Sequence, residues 1–288
     1  MIEPHDSLTR DAPAALPADL PSIQPHGFLL ELSLDWLVLR ASENVHRFLG
    51  ESHVTLIGEP LGNFIQADPL HDLRNLFSKL SGTTGLARAY RVRLTDGGGR
   101  FDVAFQINRG KVLLEGVPSP EQGLGEAIGS VAGLIDGLAE VRGHELREMA
   151  ARRMRALTGF DRVTLECGGE RVESGRAGAR FAAPGDAASG PKLLAAADCA
   201  AVPMFPRKPA AAPIDCTLLC APSATQAEQM VSQGIIASLR VAMVRAGQTV
   251  GHFKCDNAAP RACGFETYAA AELFAQMFAL QLEIDRLS

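Results

Sequence analysis

An α+β fold in two successive units is predicted for this chain by three observations. Short apolar runs alternating with polar residues and cut by Gly-rich turns fill its first 120 residues. Helical patterns bracket a further set of such runs in the remainder. With 47% apolar residues in 288, the chain has enough material for two medium cores, which favours antiparallel sheets flanked by helices over one large layer structure.

Residues 1–20, rich in Pro, Ala and Asp and without helical or strand period, are expected to be an extended arm. From Gly27 the texture changes. "GFLLELS" and "WLVLRAS" are apolar runs separated at Leu34 and Asp35, the pattern of a hairpin of buried strands. In "ENVHRFLG", Val45, Phe48 and Leu49 fall at helical spacing and Gly50 stands where a helix ends. "DPLHDLRNLFSKLSG" repeats that pattern, with Asp68 in the position of an N-cap before Pro69. Three strands follow in "ARAYRVRLTDGGGRFDVAFQINRGKVLLEGVPSP", with turns at Asp96-Gly97-Gly98-Gly99 and Asn108-Arg109-Gly110. A phosphate-binding role for the three glycines would need a helix opening after them, which the pattern lacks. "PSPEQG" punctuates the end of this unit, giving an arm over 1–20, a first domain over 21–120 and a second over 121–288.

The second unit opens with a helical stretch over 127–159, softened near Gly137 and Gly143 and stopped by Gly159. "DRVTLEC" reads as a strand, and the Gly-, Ala- and Pro-rich residues 173–215 as a long loop system carrying only short elements. "ATQAEQMVSQG" is a helix ended by Gly234. "IIASLRVAMVRAG" and "QTVGHFKCDN" are strands joined at Gly247-Gln248. The last helix carries Leu273, Met277, Leu280 and Ile284 on one face, most of which is expected to cover the sheet.

A formal net charge of −5 supplies no basic field for nucleic acid or an anionic membrane. No apolar run reaches membrane-spanning length, and the N-terminus has acids and prolines where a signal peptide needs a basic start, so a cytoplasmic location is expected. The six cysteines (Cys167, Cys199, Cys216, Cys220, Cys255, Cys263) form no CxxC pair and are expected to be mostly buried thiols. Cys216 with Cys220 is weighted as structure over metal or redox chemistry. His252 and Cys255, at odd spacing on a strand, point to opposite faces and are not expected to ligate jointly. No Ser-His-Asp or Cys-His order stands out, so no enzyme activity and no metal are expected.

"IQPHGFLL" followed by "ASENVHRFLG" resembles the start of the PAS domain of phytochromes, in particular bacterial ones. "LTGFDRVTLE", "LCAPSATQAEQMVSQGIIASLRVAMV" and "VGHFKCDNAAPR" resemble successive parts of their GAF domain. The resemblance runs from about Ser22 to the C-terminus. It implies a PAS domain followed by a GAF domain, an N-terminal arm threading a GAF loop in a knot, and homodimerisation through GAF helices. His26 is then a structural turn residue.

The resemblance also implies a bilin pocket, and the positions it assigns are altered. No cysteine precedes Ile23, so a bacterial-type thioether has no thiol. Thr225 occupies the plant-type attachment position and Gln226 that of the helix histidine. Asp256 replaces the second histidine, Cys220 a propionate-binding arginine, Gln229 and Glu166 two pocket tyrosines. Asp186 falls near the family's pocket aspartate, displaced by one residue. Glu166 and Asp256 would set two acids against a ligand carrying two propionates, which is costly in a low-dielectric cavity. The expectation is a phytochrome-like sensory module without covalent bilin, lacking its own output domain and acting through a signalling partner or a non-bilin ligand. The alternatives are a photoreceptor holding biliverdin noncovalently and a haem- or bilin-handling protein.

Overall fold

The computed structural model describes residues 21–80, 86–120, 126–179, 181–182, 190–207, 214 and 216–287. Its strands are β1 (Ser22–Ile23), β2 (Phe28–Leu32), β3 (Val38–Ser42), β4 (Leu86–Val92), β5 (Phe101–Asn108), β6 (Lys111–Pro118), β7 (Arg162–Cys167), β8 (Glu170–Gly175), β9 (Leu193–Leu194), β10 (Val202–Phe205), β11 (Ala237–Arg245) and β12 (Gln248–Asn257). The helices are α1 (His46–Leu49), α2 (His53–Leu56), α3 (Ala67–Leu80), α4 (Glu126–Asp136), α5 (Gly143–Thr158), α6 (Ala224–Ser232) and α7 (Phe265–Leu287). The expected α+β architecture is present, as two antiparallel sheets. One has the order β1-β10-β3-β2-β6-β5-β4, the other β8-β7-β12-β11-β9.

Strand alternation places the cores. Phe28, Leu30 and Leu32 of β2, with Val103 and Phe105 of β5, join Trp36, Leu56 and Leu73 in a core under α1–α3. The opposite face of the same sheet supplies Leu29, Ala104, Leu113 and Val117 to the core of the second unit, where α5 and α7 pack on β7, β11 and β12. The first sheet is thus buried on both faces, which is why β2 is apolar at nearly every position rather than at every second one.

Several expectations shift by a residue or two. The α3 helix starts at Ala67, so Asp68 lies in its first turn instead of capping it. The β11–β12 turn is Ala246-Gly247, both at positive φ, one position earlier than Gly247-Gln248. Of the predicted stripe on α7, Met277 packs against the core, whereas Leu273, Leu280 and Ile284 do not cover the sheet, being 42, 63 and 53% exposed. Phe274, Phe278, Ala271 and Ala275 do so instead, because small residues alternating with phenylalanines let the helix approach closely.

One of the short elements expected in the long loop system is β10, which inserts between β1 and β3. Ser22 and Ile23 pair with Pro203 and Val202, and Met204 and Phe205 pair with Ser42 and Ala41. The other edge of β1 is held by Leu219, whose carbonyl accepts from Gln24 N, and by Ala221 N donating to Ser22 O. The expected arm over 1–20, and any threading by it, lies outside the described residues.

The "IQPHG" motif acquires a physical meaning at this seam. Fully buried Gln24 donates from Nε2 to the carbonyls of Leu193 (2.7 Å) and Cys220 (3.3 Å) and accepts from Ala195 N (2.9 Å). Asn44 Nδ2 donates to the carbonyls of Pro25 and Gly27. A side chain on Gly27 would meet Gly116 O at 2.6 Å and Leu219 at 2.7 Å, so the approach of the two units requires glycine there. His26 is half-buried, and burial holds its imidazole pKa below the usual value.

Candidate functional site: the covered face of the second sheet

In the second sheet, Val163 and Leu165 of β7, Phe253 and Cys255 of β12, and Leu239 and Val241 of β11 belong to the core beneath α5 and α7. Strand alternation sends the intervening residues to the other face. The register arranges them in three rows. Arg162, Asp256, Ser238 and Leu194 form one; Thr164, Lys254 and Arg240 the next; Glu166, His252 and Ala242 the third. Beside the first row, Leu194, Ala197, Met230 and Ile235 form a small apolar cluster with Phe181 packed against it.

Asp256 is wholly buried, accepting from Arg162 Nη2 at 2.7 Å and from Ser238 Oγ at 3.2 Å. The Arg162 guanidinium also donates to Ala182 O and lies 4.3 Å from the Phe181 ring centre. Glu166 is ion-paired with Arg171 at 3.2 Å and lines an open groove of about 470 Å³ with Cys167, Glu170, Arg171 and His252. Four residues of strand, roughly 13 Å, separate the two acids. The repulsion expected from two acids in one cavity therefore does not arise, because each has its own arginine.

The remaining predicted positions serve other purposes. Gln226 closes a capping box on α6: its side chain accepts from Ser223 N and its own N–H donates to Ser223 Oγ. Thr225 and Gln229 are exposed on the same helix. Cys220 is half-buried against β1, where it forms an isolated bridge with Ile23. Asp186 lies outside the described residues. The structure thus places Asp256 and Glu166 on one sheet face, two rows apart, with Thr225, Gln226 and Gln229 on α6 beside the first row, and sets Cys220 away from that face, against β1. Reading the sequence by family positions missed Arg162, Thr164, Ser238, Arg240 and Lys254. The alternation in "DRVTLEC", "IIASLRVAMV" and "GHFKCDN" was the signal that could have found them.

All six cysteines are free thiols. Burial pushes the Cys255 and Cys263 thiols well up, the latter to about 12, which makes them inert at neutral pH. Cys255 faces the core and His252 the opposite side, as their spacing predicts. Among the described residues, no three His, Cys, Asp or Glu side chains come together to hold a metal, and no helix is long and apolar enough to cross a membrane.

Two antiparallel sheets, with β10 inserted between β1 and β3 of the first, make up the α+β architecture that the comparisons are set against. A family model described as a PAS fold matches residues 19–115, and the α+β fold of the chain is that of the PAS–GAF cores to which it is structurally similar. It is similar to the chromophore-binding domain of an unusual bacteriophytochrome from R. palustris, with 25% identity, a TM-score of 0.76, and 94% of this chain and 98% of that one covered. A longer structure of the R. palustris bacteriophytochrome matches at 24% identity and TM-score 0.77, over 93% of this chain and 59% of that one. The wild-type chromophore-binding domain of phytochrome P1 from Stigmatella aurantiaca shares the fold at 23% identity and TM-score 0.72, covering 91% and 96%. No curated protein matches the chain in sequence.

Proposed function

We propose that the chain is a phytochrome-like sensory module, not an enzyme, that holds no bilin covalently and acts through a partner protein or a non-bilin ligand in its GAF domain. The observation that carries this reading is the commitment of Asp256 to Arg162 and Ser238. An acid bound in this way offers neither the imidazole surface nor the hydrogen-bond donor that a histidine would present to a tetrapyrrole. Thr225 and Gln226 supply neither thiol nor imidazole, and Gln226 is occupied in capping its own helix. The half-exposed stripe Leu273, Leu280 and Ile284 on α7 supports a homodimer packed helix to helix, which light scattering checks directly.

The deciding experiment is an absorption spectrum, from near-ultraviolet to near-infrared, of protein co-expressed with a haem oxygenase, before and after red illumination. A colourless product is the expected result. A red or far-red band that shifts with light would replace this reading with a noncovalent photoreceptor. A tetrapyrrole band that turns over or transfers to an acceptor would make the chain a haem- or bilin-handling protein.

A further inference from the structure

One carboxyl sits at the root of the contacts that join the two domains. Glu115 of β6 is buried and accepts from Leu218 N at 3.1 and 2.9 Å, one bond to each oxygen, and from Leu219 N at 2.9 Å. The next residues of that loop hold β1. Leu219 O accepts from Gln24 N, Cys220 O accepts from Gln24 Nε2, and Ala221 N donates to Ser22 O. The strand so held is only two residues long and pairs on its other side with β10, so one loop and one short strand close the junction.

Among the described residues no cation lies within 4 Å of Glu115, whereas the buried acids Glu31 and Asp256 are paired with Arg40 and Arg162. The charged groups that face it are committed elsewhere. On its own sheet face, Arg88 of β4 shares its row two strands away and is paired with Glu272 of α7 at 2.7 Å. Asp102 of β5 accepts from Ser119 Oγ and Arg91 N, and Glu31 of β2 is held by Arg40 and Lys111. From the second domain, Lys192 donates to Cys216 O at 2.7 Å and the Tyr268 hydroxyl to Arg240 O at 3.2 Å. A carboxyl moved from water to a buried place where only N–H groups bond it has its pKa raised. Closing the junction therefore takes up a proton, and opening it to water releases one.

We propose that Glu115 makes the junction a proton-linked clasp, in which the protonated carboxyl keeps loop 217–221 seated on β6 and β1, and loss of the proton to water favours its opening. The input is the proton itself, so the clasp acts whatever the second domain binds.

The test is amide hydrogen exchange of the full chain from about pH 5 to about pH 8, read as protection factors so that the intrinsic pH dependence of exchange is removed. The amides of Gln24, Leu218, Leu219 and Ala221 are expected to exchange through an opening of lower free energy than those of Leu165 and Phe253 in the core. Their protection should fall about tenfold per pH unit up to about 7 and level off above it. Glu115→Gln, neutral at every pH, should remove that slope, while Gln24→Ala should lower the protection of Leu218, Leu219 and Ala221 at every pH and keep it. Should Glu115→Gln not melt cooperatively, the carboxyl carbon resonance of Glu115 in isotope-labelled wild type is the second measurement, with a midpoint of about 7 expected. Junction amides that open only together with the core, protection that stays flat up to neutrality, an unchanged slope in Glu115→Gln, or a carboxyl midpoint at the ordinary value of about 4.5 would overturn the clasp. The colour of the protein co-expressed with a haem oxygenase bears on the bilin-free reading alone.

Discussion

The seam between the two domains and the covered face of the GAF sheet both bury polar side chains, and they treat them in opposite ways. At the seam, Gln24 makes three bonds to backbone groups. Glu115, 1% exposed, accepts from Leu218 N and Leu219 N across the same junction. Gln24 and Glu115 are thus matched to the main chain of the opposing domain, so they specify how the domains fit. On the GAF face, one acid–arginine pair is closed and the next row is left with donors lacking acceptors. Satisfied buried polar groups build architecture, whereas unsatisfied ones mark where stability has been given up to something else.

The largest effect should come from opening the closed pair. Arg162→Met leaves Asp256 buried and unpaired, for an expected loss of about 3–5 kcal/mol in urea unfolding; a loss below about 1 kcal/mol would mean that water reaches Asp256. Next is the pH dependence of the seam. Burial pushes the Glu115 carboxyl up to about 7, against hydrogen bonds from Leu218 and Leu219 and the more distant charges of Lys192 and Arg88. A carboxyl whose pKa rises on folding takes up a proton, so its contribution is whole below about 4.5 and fades as pH rises through about 7, a span of about 3 kcal/mol. Unfolding midpoints of Glu115→Gln should lack that slope, and identical slopes in wild type and variant would place the titration elsewhere.

Smaller changes sharpen the contrast. Gln24→Ala orphans one N–H and two carbonyls at the seam and should cost about 2 kcal/mol. Thr164→Val, nearly the same shape, removes a hydroxyl without a partner and should stabilise by about 1 kcal/mol. If both substitutions destabilise equally in thermal melts, the distinction between the two regions fails.

Reading the sequence locates most elements because each carries its own period and punctuation: Gly50, Gly159 and Gly234 stop helices where expected, all at positive φ. Legibility ends where partners are remote. The four residues of β10 have no period of their own and become a strand only by pairing with β1 and β3. The candidate site is less legible still. Family positions pointed to Asp256 without its arginine, since the Arg162–Asp256 pairing depends on strand register across 94 residues. Gln226 looked like a lost ligand, although Ser223 three residues before it already spelled a capping box.

The insertion of β10 also sets a timetable. A ribosome emits Ile23 and Gln24 long before Val202 and Leu219, so the first strand of the PAS sheet waits for most of the GAF domain before it has anything to pair with. A fragment ending after β6 would leave β3 with a bare edge and Gln24 with none of its three backbone partners. The two domains are therefore neighbours in sequence but a single unit of assembly.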